Sequence, residues 1–159
     1  GFVASKFASM DARGVFVADG ARYQSFEGRQ GVEEAIAVLR AQAPLPPLAL
    51  ISCGSEAARQ HVADIGRSGG KGHVGTDSSR PSERVKRFTT ATPYCGEVIS
   101  FGYRSARDVL IDLIVDDGVP SRGHRRMLLD ERYRSFGGAV GPHVGTSTIA
   151  VVVLCLNEA

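Results

Sequence analysis

Asp116-Asp117-Gly118-Val119-Pro120-Ser121-Arg122-Gly123-His124-Arg125 is the stretch on which the reading of this chain turns. It follows Val109, Leu110, Leu113 and Ile114, an apolar set that predicts a helix opened by the capping pattern Ser105-Ala106-Arg107-Asp108. Gly118 and Pro120 stop that helix, and Ser121 is placed to cap a short one running through Leu129. Two carboxylates and an imidazole therefore share a helix end, a turn and the next helix start. Acidic side chains are disfavoured at a helix C-terminus, which carries partial negative charge. Asp116 and Asp117 thus need a cation or imidazolium nearby, unless both are solvated or pair with Arg122 or Arg125. Asp116 lies three residues after Leu113 and Asp117 three after Ile114, so helical phase does not choose which one turns inward. His124, near the positive end of its helix, is expected to stay neutral, the form that ligates metals.

Upstream, two more side chains sit beside glycine. His73 lies in the loop Gly72-His73-Val74-Gly75, where small neighbours let an imidazole approach a cleft closely. Glu97 follows Gly96 at a strand start, and in a pocket it could accept the N–H of an imidazole and fix its tautomer. The plain alternatives are a solvated loop histidine and an edge charge. His61 falls mid-helix and His143 in a turn between strands; both read as structural. Two histidines with acidic partners suffice for a divalent-metal site or for acid/base chemistry. No G-x-S-x-G, P-loop, dinucleotide fingerprint, H-E-x-x-H or EF-hand pattern occurs.

Composition narrows the classes. A chain of 159 residues, 43% hydrophobic, forms one domain with a real core. The net charge of +2 comes from scattered arginines without aromatic interleaving, which speaks against nucleic acid as a partner. No apolar run reaches the length of a membrane span. The start Gly1-Phe2-Val3-Ala4-Ser5-Lys6 lacks the basic and apolar regions of a signal peptide. Cys53, Cys95 and Cys155 show no C-x-x-C spacing, so a zinc knuckle is excluded and their disulfide state stays open.

Along the chain, residues 1–30 read as an arm or linker, with Val15-Phe16-Val17 as a short strand, ahead of a domain over 31–159. Val32, Ala35, Ile36 and Leu39 predict a helix ended by the proline-rich segment 44–47. A second helix spans Ser55 to Arg67, with Ser55 as its cap, Ala58, Val62 and Ile65 on one face, and Gly69 to Gly72 as its stop. Pro81 opens a short helix to Phe88, and Glu97 to Phe101 forms a strand. Two closing strands, Phe136–Val140 and Thr148–Leu156, flank the turn Gly141–Gly145, and Val151-Val152-Val153 is buried on both faces. The fold class is α+β, helices covering a small antiparallel sheet.

Read together, these pieces resemble the CAP superfamily (cysteine-rich secretory proteins, antigen 5, pathogenesis-related class 1), in particular its bacterial SCP-like members. Leu45-Pro46-Pro47-Leu48 resembles the family's "LPPL" link, and Ala57-Ala58-Arg59-Gln60-His61 the helix after it. Gly72-His73-Val74-Gly75-Thr76-Asp77 resembles "GHxGxDG", Gly96-Glu97-Val98-Ile99 resembles "GENI", and Asp116 through Arg125 resembles "DDGVxxRGHR". The resemblance implies an α-β-α sandwich with an open cleft. It implies a tetrad there of His73, Glu97, one of Asp116 and Asp117, and His124. In many members that tetrad binds a divalent metal such as zinc. It also implies secretion or a place in the cell envelope, with a lipid, sterol or small amphipathic molecule as ligand and a protein partner as a further option. The chain departs from the pattern at Val98 and Met127, where asparagines are usual, and in carrying Asp as the second acid.

Two functions compete. In the first, a non-catalytic binding protein holds zinc or another divalent metal through His73 and His124, with Glu97 and Asp116 or Asp117 orienting the imidazoles. In the second, the same residues form a metal-dependent, peptidase-like hydrolase, with Glu97 as general base and His124 as the other candidate catalytic residue. The missing nucleophile favours the first.

Overall fold

A computed structural model describes residues 1–18, 20–91, 93–103 and 105–156, so the last residues of the expected 31–159 domain lie outside it. The chain falls into two units, residues 1–44 with 110–128, and residues 45–109 with 129–159.

The first unit contains α1 (Phe2–Lys6), a hairpin of β1 (Val15–Ala18) and β2 (Ala21–Gln24), and α2 (Arg29–Ala41). The strand expected at Val15–Val17 is thus β1. Val3, Phe7, Met10 and Phe16 form one apolar cluster with Val32 and Ala35 of α2 and with Ile111 and Val115. Phe7 meets Phe16 edge-on at 4.7 Å between ring centres, and Tyr23 stacks on Phe16 at 5.4 Å. Residues 1–30, read from sequence as an arm or linker, therefore contribute a helix and a hairpin to this core. On α2, Val32 and Ala35 are buried as the periodicity predicts, whereas Leu39, toward the helix end, is exposed.

The second unit is built on a four-stranded sheet. Its strands are β3 (Ala49–Leu50), β4 (Cys95–Phe101), β5 (Ser135–His143) and β6 (Ser147–Cys155), in the order β3-β5-β6-β4. β4, β5 and β6 pair antiparallel, as expected. The short β3 adds itself to β5 in parallel, making the sheet mixed. The apolar run at 149–155 places β6 between its two long partners: Ile149, Ala150, Val151, Val153, Leu154 and Cys155 are all buried. β5 extends to His143, three residues into the predicted turn.

Two helices cover one face of this sheet: α3 (Ser52–Ser68) and α4 (Pro81–Val85). Ala57, Ala58, Val62 and Ile65 of α3 and Val85 of α4 share a cluster with Cys95, Ile99, Val151 and Val153. Helix α3 starts earlier than expected. Ile51 is its N-cap, and the Ser55 hydroxyl bonds back to the Ile51 carbonyl at 3.2 Å inside the first turn rather than capping. The same turn makes a close backbone approach to β5. A Cβ on Gly137 of β5 would come within 2.1 Å of the Ser55 nitrogen, and one on Gly54 within 3.1 Å of the Gly137 nitrogen. Gly69 ends α3 in the left-handed conformation, φ 73°. Pro81 opens α4 as predicted, and Glu83 accepts the Arg80 N–H at 2.6 Å.

Cys95 and Cys155 are register partners on β4 and β6 and form a disulfide, while Cys53 stays a buried thiol. The predicted cap of α5 (Ala106–Val115) forms: Asp108 donates its N–H to Ser105 Oγ at 3.0 Å. α6 (Gly123–Leu128) follows the stretch at 116–122. Among the described residues no helix is long and apolar enough to cross a membrane.

Two stability predictions follow from this architecture. Gly137→Ala is expected to cost about 3 kcal/mol or more, because backbone of α3 would have to move. In contrast, the nearest atom to a Cβ on Gly138 lies at 3.5 Å. Gly138→Ala should accordingly stay within about 0.5 kcal/mol of the parent in urea unfolding. The disulfide spans a sequence separation of 60. Loop-closure entropy puts the expected loss for Cys95→Ala/Cys155→Ala at about 4 kcal/mol, read in the same assay. Unchanged unfolding midpoints would contradict either account.

Candidate functional site

Glu97 occupies a position where strand alternation should place an apolar side chain. It lies between Cys95 and Ile99 on the face of β4 that α3 and α4 cover, opposite Val153 of β6. Its carboxylate is buried, and such a charge is tolerated only when paired. Arg84 of α4, itself 1% exposed, supplies the pairing through Nη2 to Oε2 at 2.8 Å. The same guanidinium donates to the Ser79 carbonyl at 2.7 Å and to the His73 carbonyl at 3.2 Å, tying the 72–80 loop to the helix. The other carboxylate oxygen, Oε1, accepts the Nδ1–H of His73 at 3.0 Å. His61 of α3 closes the group, with Nε2 at 2.8 Å from the Gly72 carbonyl and 3.5 Å from Glu97 Oε1.

A carboxylate can only accept, so His73 carries its proton on Nδ1 when neutral and presents the Nε2 lone pair. The His73 side chain is 48% exposed, so that atom lies on the open side of the ring while the acid behind it is sealed. Within the second unit the structure thus joins His73 to Glu97 as the sequence suggested.

The first unit holds the second pair. Asp116 takes a left-handed conformation, φ 56°, directly after α5, which turns its carboxylate toward α6. Asp tolerates this conformation better than most residues. Oδ1 accepts the Nδ1–H of His124 at 2.7 Å, and Oδ2 accepts the backbone N–H groups of His124 at 3.0 Å and Arg125 at 3.3 Å. The carboxylate therefore caps the start of α6, a position the helix dipole favours. Ser121, expected as the cap, does not supply it.

Asp117 does not join His124. Its oxygens accept from Ser25 Oγ at 3.1 Å and from the backbone N–H groups of Phe26 at 2.8 Å and Glu27 at 2.9 Å. The choice between the two acids that helical phase left open is made by the left-handed turn at Asp116. Neither acid forms an ion pair with Arg122 or Arg125. Arg122 reaches Glu27 and Glu34, and Arg125 reaches Glu34 at 2.6 Å. Together the two guanidiniums hold the Glu34 carboxyl down to about 2.

The expectation that the helix end lowers the His124 pKa is corrected by this geometry. The hydrogen bond to Asp116 raises its pKa above the ordinary histidine value, and that effect outweighs the opposing desolvation. Its side chain is 27% exposed, with Nδ1 committed to the acid and Nε2 remaining.

His143 is structural, as expected: it is buried at the end of β5, with Nε2 on the Gly70 carbonyl and Nδ1 on Thr146 Oγ1. His61 and Arg84 are the residues that sequence reasoning missed. The signal for both was weak: a histidine on the apolar face of α3, and an arginine three residues after Pro81. Among the described residues no three or more His, Cys, Asp or Glu side chains gather as a metal cluster.

The His124–Asp116 pair gives a pH prediction for metal-free protein. A folded pKa above the unfolded value stabilises fully below the unfolded pKa, and the contribution is lost as pH rises through the folded pKa. The stability gap between the parent and His124→Gln should be largest below about pH 6 and shrink through neutral to alkaline pH. In NMR titration the His124 pKa should fall in Asp116→Asn. A gap that grows with pH would contradict the pairing.

Comparison with known proteins fits this picture. The structure is similar to an outer surface protein of Borrelia burgdorferi, with TM-score 0.60 and 17% identity over 84% of this chain and 95% of that one. It is also similar to an extracellular protein containing an SCP domain from Bacillus anthracis, with TM-score 0.58 and 20% identity. That second match covers 80% of this chain but only 39% of the Bacillus chain. No curated protein matches the chain in sequence. The model of the CAP family (cysteine-rich secretory protein family) matches residues 33–156, which include both imidazole–carboxylate pairs, and the chain belongs to that family.

Proposed function

We propose that this CAP domain is a binding protein that works outside the cytoplasm and takes a divalent metal such as zinc through His73 and His124. The observation that carries the reading is the use of the carboxylates. Both oxygens of Glu97 and both of Asp116 are engaged, each acid holding one imidazole by Nδ1. An acid on Nδ1 fixes the ring's tautomer and raises the basicity of Nε2, the usual arrangement behind a metal-bound histidine. Imidazole nitrogen suits zinc and neighbouring transition metals. Such an ion, when bound, would supply Lewis acidity and positions for an external ligand. His73 and His124 would hold it; Glu97 and Asp116 would orient the rings.

The same observation speaks against the hydrolase. Glu97 has one oxygen on Arg84 and the other on His73, and its side chain is sealed from the water it would have to deprotonate. Two imidazoles are also fewer than the three protein ligands of most catalytic zinc sites. The organic ligand in this reading is amphipathic, following the family resemblance.

An extracellular or surface setting is supported by the Cys95–Cys155 disulfide, since such bonds persist in oxidising compartments. It is supported as well by the printed descriptions of the two similar structures as outer surface and extracellular proteins.

Zinc calorimetry on metal-stripped protein tests the proposal. His73→Ala and His124→Ala should each remove binding, and Glu97→Gln should weaken it by about 10–100-fold. Loss of all binding in either single variant would mean both imidazoles act on one ion, and loss of one equivalent in each would mean separate sites. An isotherm shared by the parent and both histidine variants would overturn the reading.

A further inference from the structure

The second unit contains a cavity of about 180 Å³ lined by Gln60, His61, Asp64, Thr76, Asp77, Ser79, Arg84 and Arg87. Three of its lining residues each carry a buried side-chain atom with no hydrogen-bond partner in the protein: Gln60 Oε1, His61 Nδ1 and Arg84 Nε. His61 is fully buried and Arg84 is 1% exposed. Orphaned buried polar atoms are rare and costly, and their gathering around one cavity points to an occupant that satisfies them.

The chemistry of that occupant follows from the atoms. Nε2 of His61 faces two acceptors, the Gly72 carbonyl and Glu97 Oε1, so it bears the proton. In the neutral ring Nδ1 is then an acceptor that lacks a donor. Gln60 Oε1 is a second acceptor, and Arg84 Nε–H is a donor that lacks an acceptor. Charges on the lining already have partners: Arg84 pairs with Glu97, Arg87 with Asp77, and Asp64 accepts two hydrogen bonds from Thr76. An ion is therefore not required. Two acceptors and one donor are what a water molecule satisfies, and the cavity exceeds the volume of one water several-fold.

We infer that this cavity is a built hydration site, in which ordered water accepts from Arg84 Nε and donates to His61 Nδ1 and Gln60 Oε1. The Gly72 carbonyl and Glu97 fix the His61 tautomer, the water satisfies its Nδ1, and His61 donates to the Gly72 carbonyl next to His73. His61 is thus a positioning residue for the loop that carries His73, acting from behind the Glu97 carboxylate. Gln60, Asp64 and Thr76 also line a wider groove of about 560 Å³, which gives the water a route for exchange. None of this depends on metal binding.

The test uses the metal-stripped full chain. Nitrogen-15 NMR of the histidines should show His61 as the Nε2–H tautomer, with the Nδ1 shift of a hydrogen-bonded acceptor. Oxygen-17 relaxation dispersion should count at least one long-lived water in the parent that is missing in His61→Phe. Gln60→Met, which keeps the helix-forming character of the position, should shift the His61 Nδ1 signal and serves if His61→Phe does not fold. A protonated or unbonded Nδ1 in the parent would overturn the inference. So would equal counts of long-lived water in the parent and both variants, or an ion or buffer molecule in the cavity of a crystal structure.

Discussion

The ion pair between Glu97 and Arg84 is the constraint around which the second unit is arranged. A carboxylate on the covered face of a sheet is unstable unless its charge is met and its lone pairs are used. Arg84 meets the charge from α4, His73 uses one oxygen from the loop, and His61 approaches from α3. Three separate elements are thereby registered against β4. The guanidinium extends the same logic to backbone, binding the carbonyls of His73 and Ser79. Loop 72–80 has little regular structure of its own, so these bonds define its path. Removing either partner alone would leave a buried charge unmet, the costliest way to break such a pair.

The first unit solves a related problem by other means. Asp116 has no guanidinium on its carboxylate; the backbone N–H groups at the start of α6 and the His124 ring take that place. A carboxylate at a helix start is stabilised by the dipole, so the residue that looked misplaced at the end of α5 is well placed for α6. The left-handed turn at Asp116 makes both descriptions true of one side chain. Asp117, one residue later, points elsewhere and secures residues 25–27 instead. The arginines nearby are spent on Glu27 and Glu34, which keeps them off the acid that holds the imidazole.

Much of this was legible in the sequence because the signals were local. Helical spacing gave α2, α3 and α5, the Ser105 capping pattern gave the start of α5, and the β-branched run gave β6. The pairing of His73 with Glu97 could be anticipated as a type of interaction, and the family resemblance named the residues. What was hidden depends on contacts distant in sequence. Arg84 and His61 looked ordinary because their importance comes from converging on Glu97 from two different helices. Likewise, the approach of Gly54 to Gly137 cannot be read from either segment alone. The direction of the His124 pKa shift was misjudged because only the helix end was weighed. A carboxylate at 2.7 Å acts more strongly on the ring than partial charges spread over a helix turn.

The two pairs share a division of labour that bears on function. In each, a buried acid with both oxygens hydrogen-bonded faces inward, and an imidazole with one uncommitted nitrogen faces outward. A general base must be able to receive a proton and release it, which requires an oxygen open to the substrate or to water. Glu97 and Asp116 are built the opposite way: both are buried, and both oxygens of each are held by hydrogen bonds. Such acids are suited to holding a ring at a fixed angle with a fixed tautomer. Pre-orientation of this kind lowers the ordering cost of binding an ion or a polar ligand at Nε2. It adds nothing to a proton-transfer step that the acid itself would have to perform. That construction is what supports the proposed reading of the site as one that binds, whichever ligand the imidazoles receive.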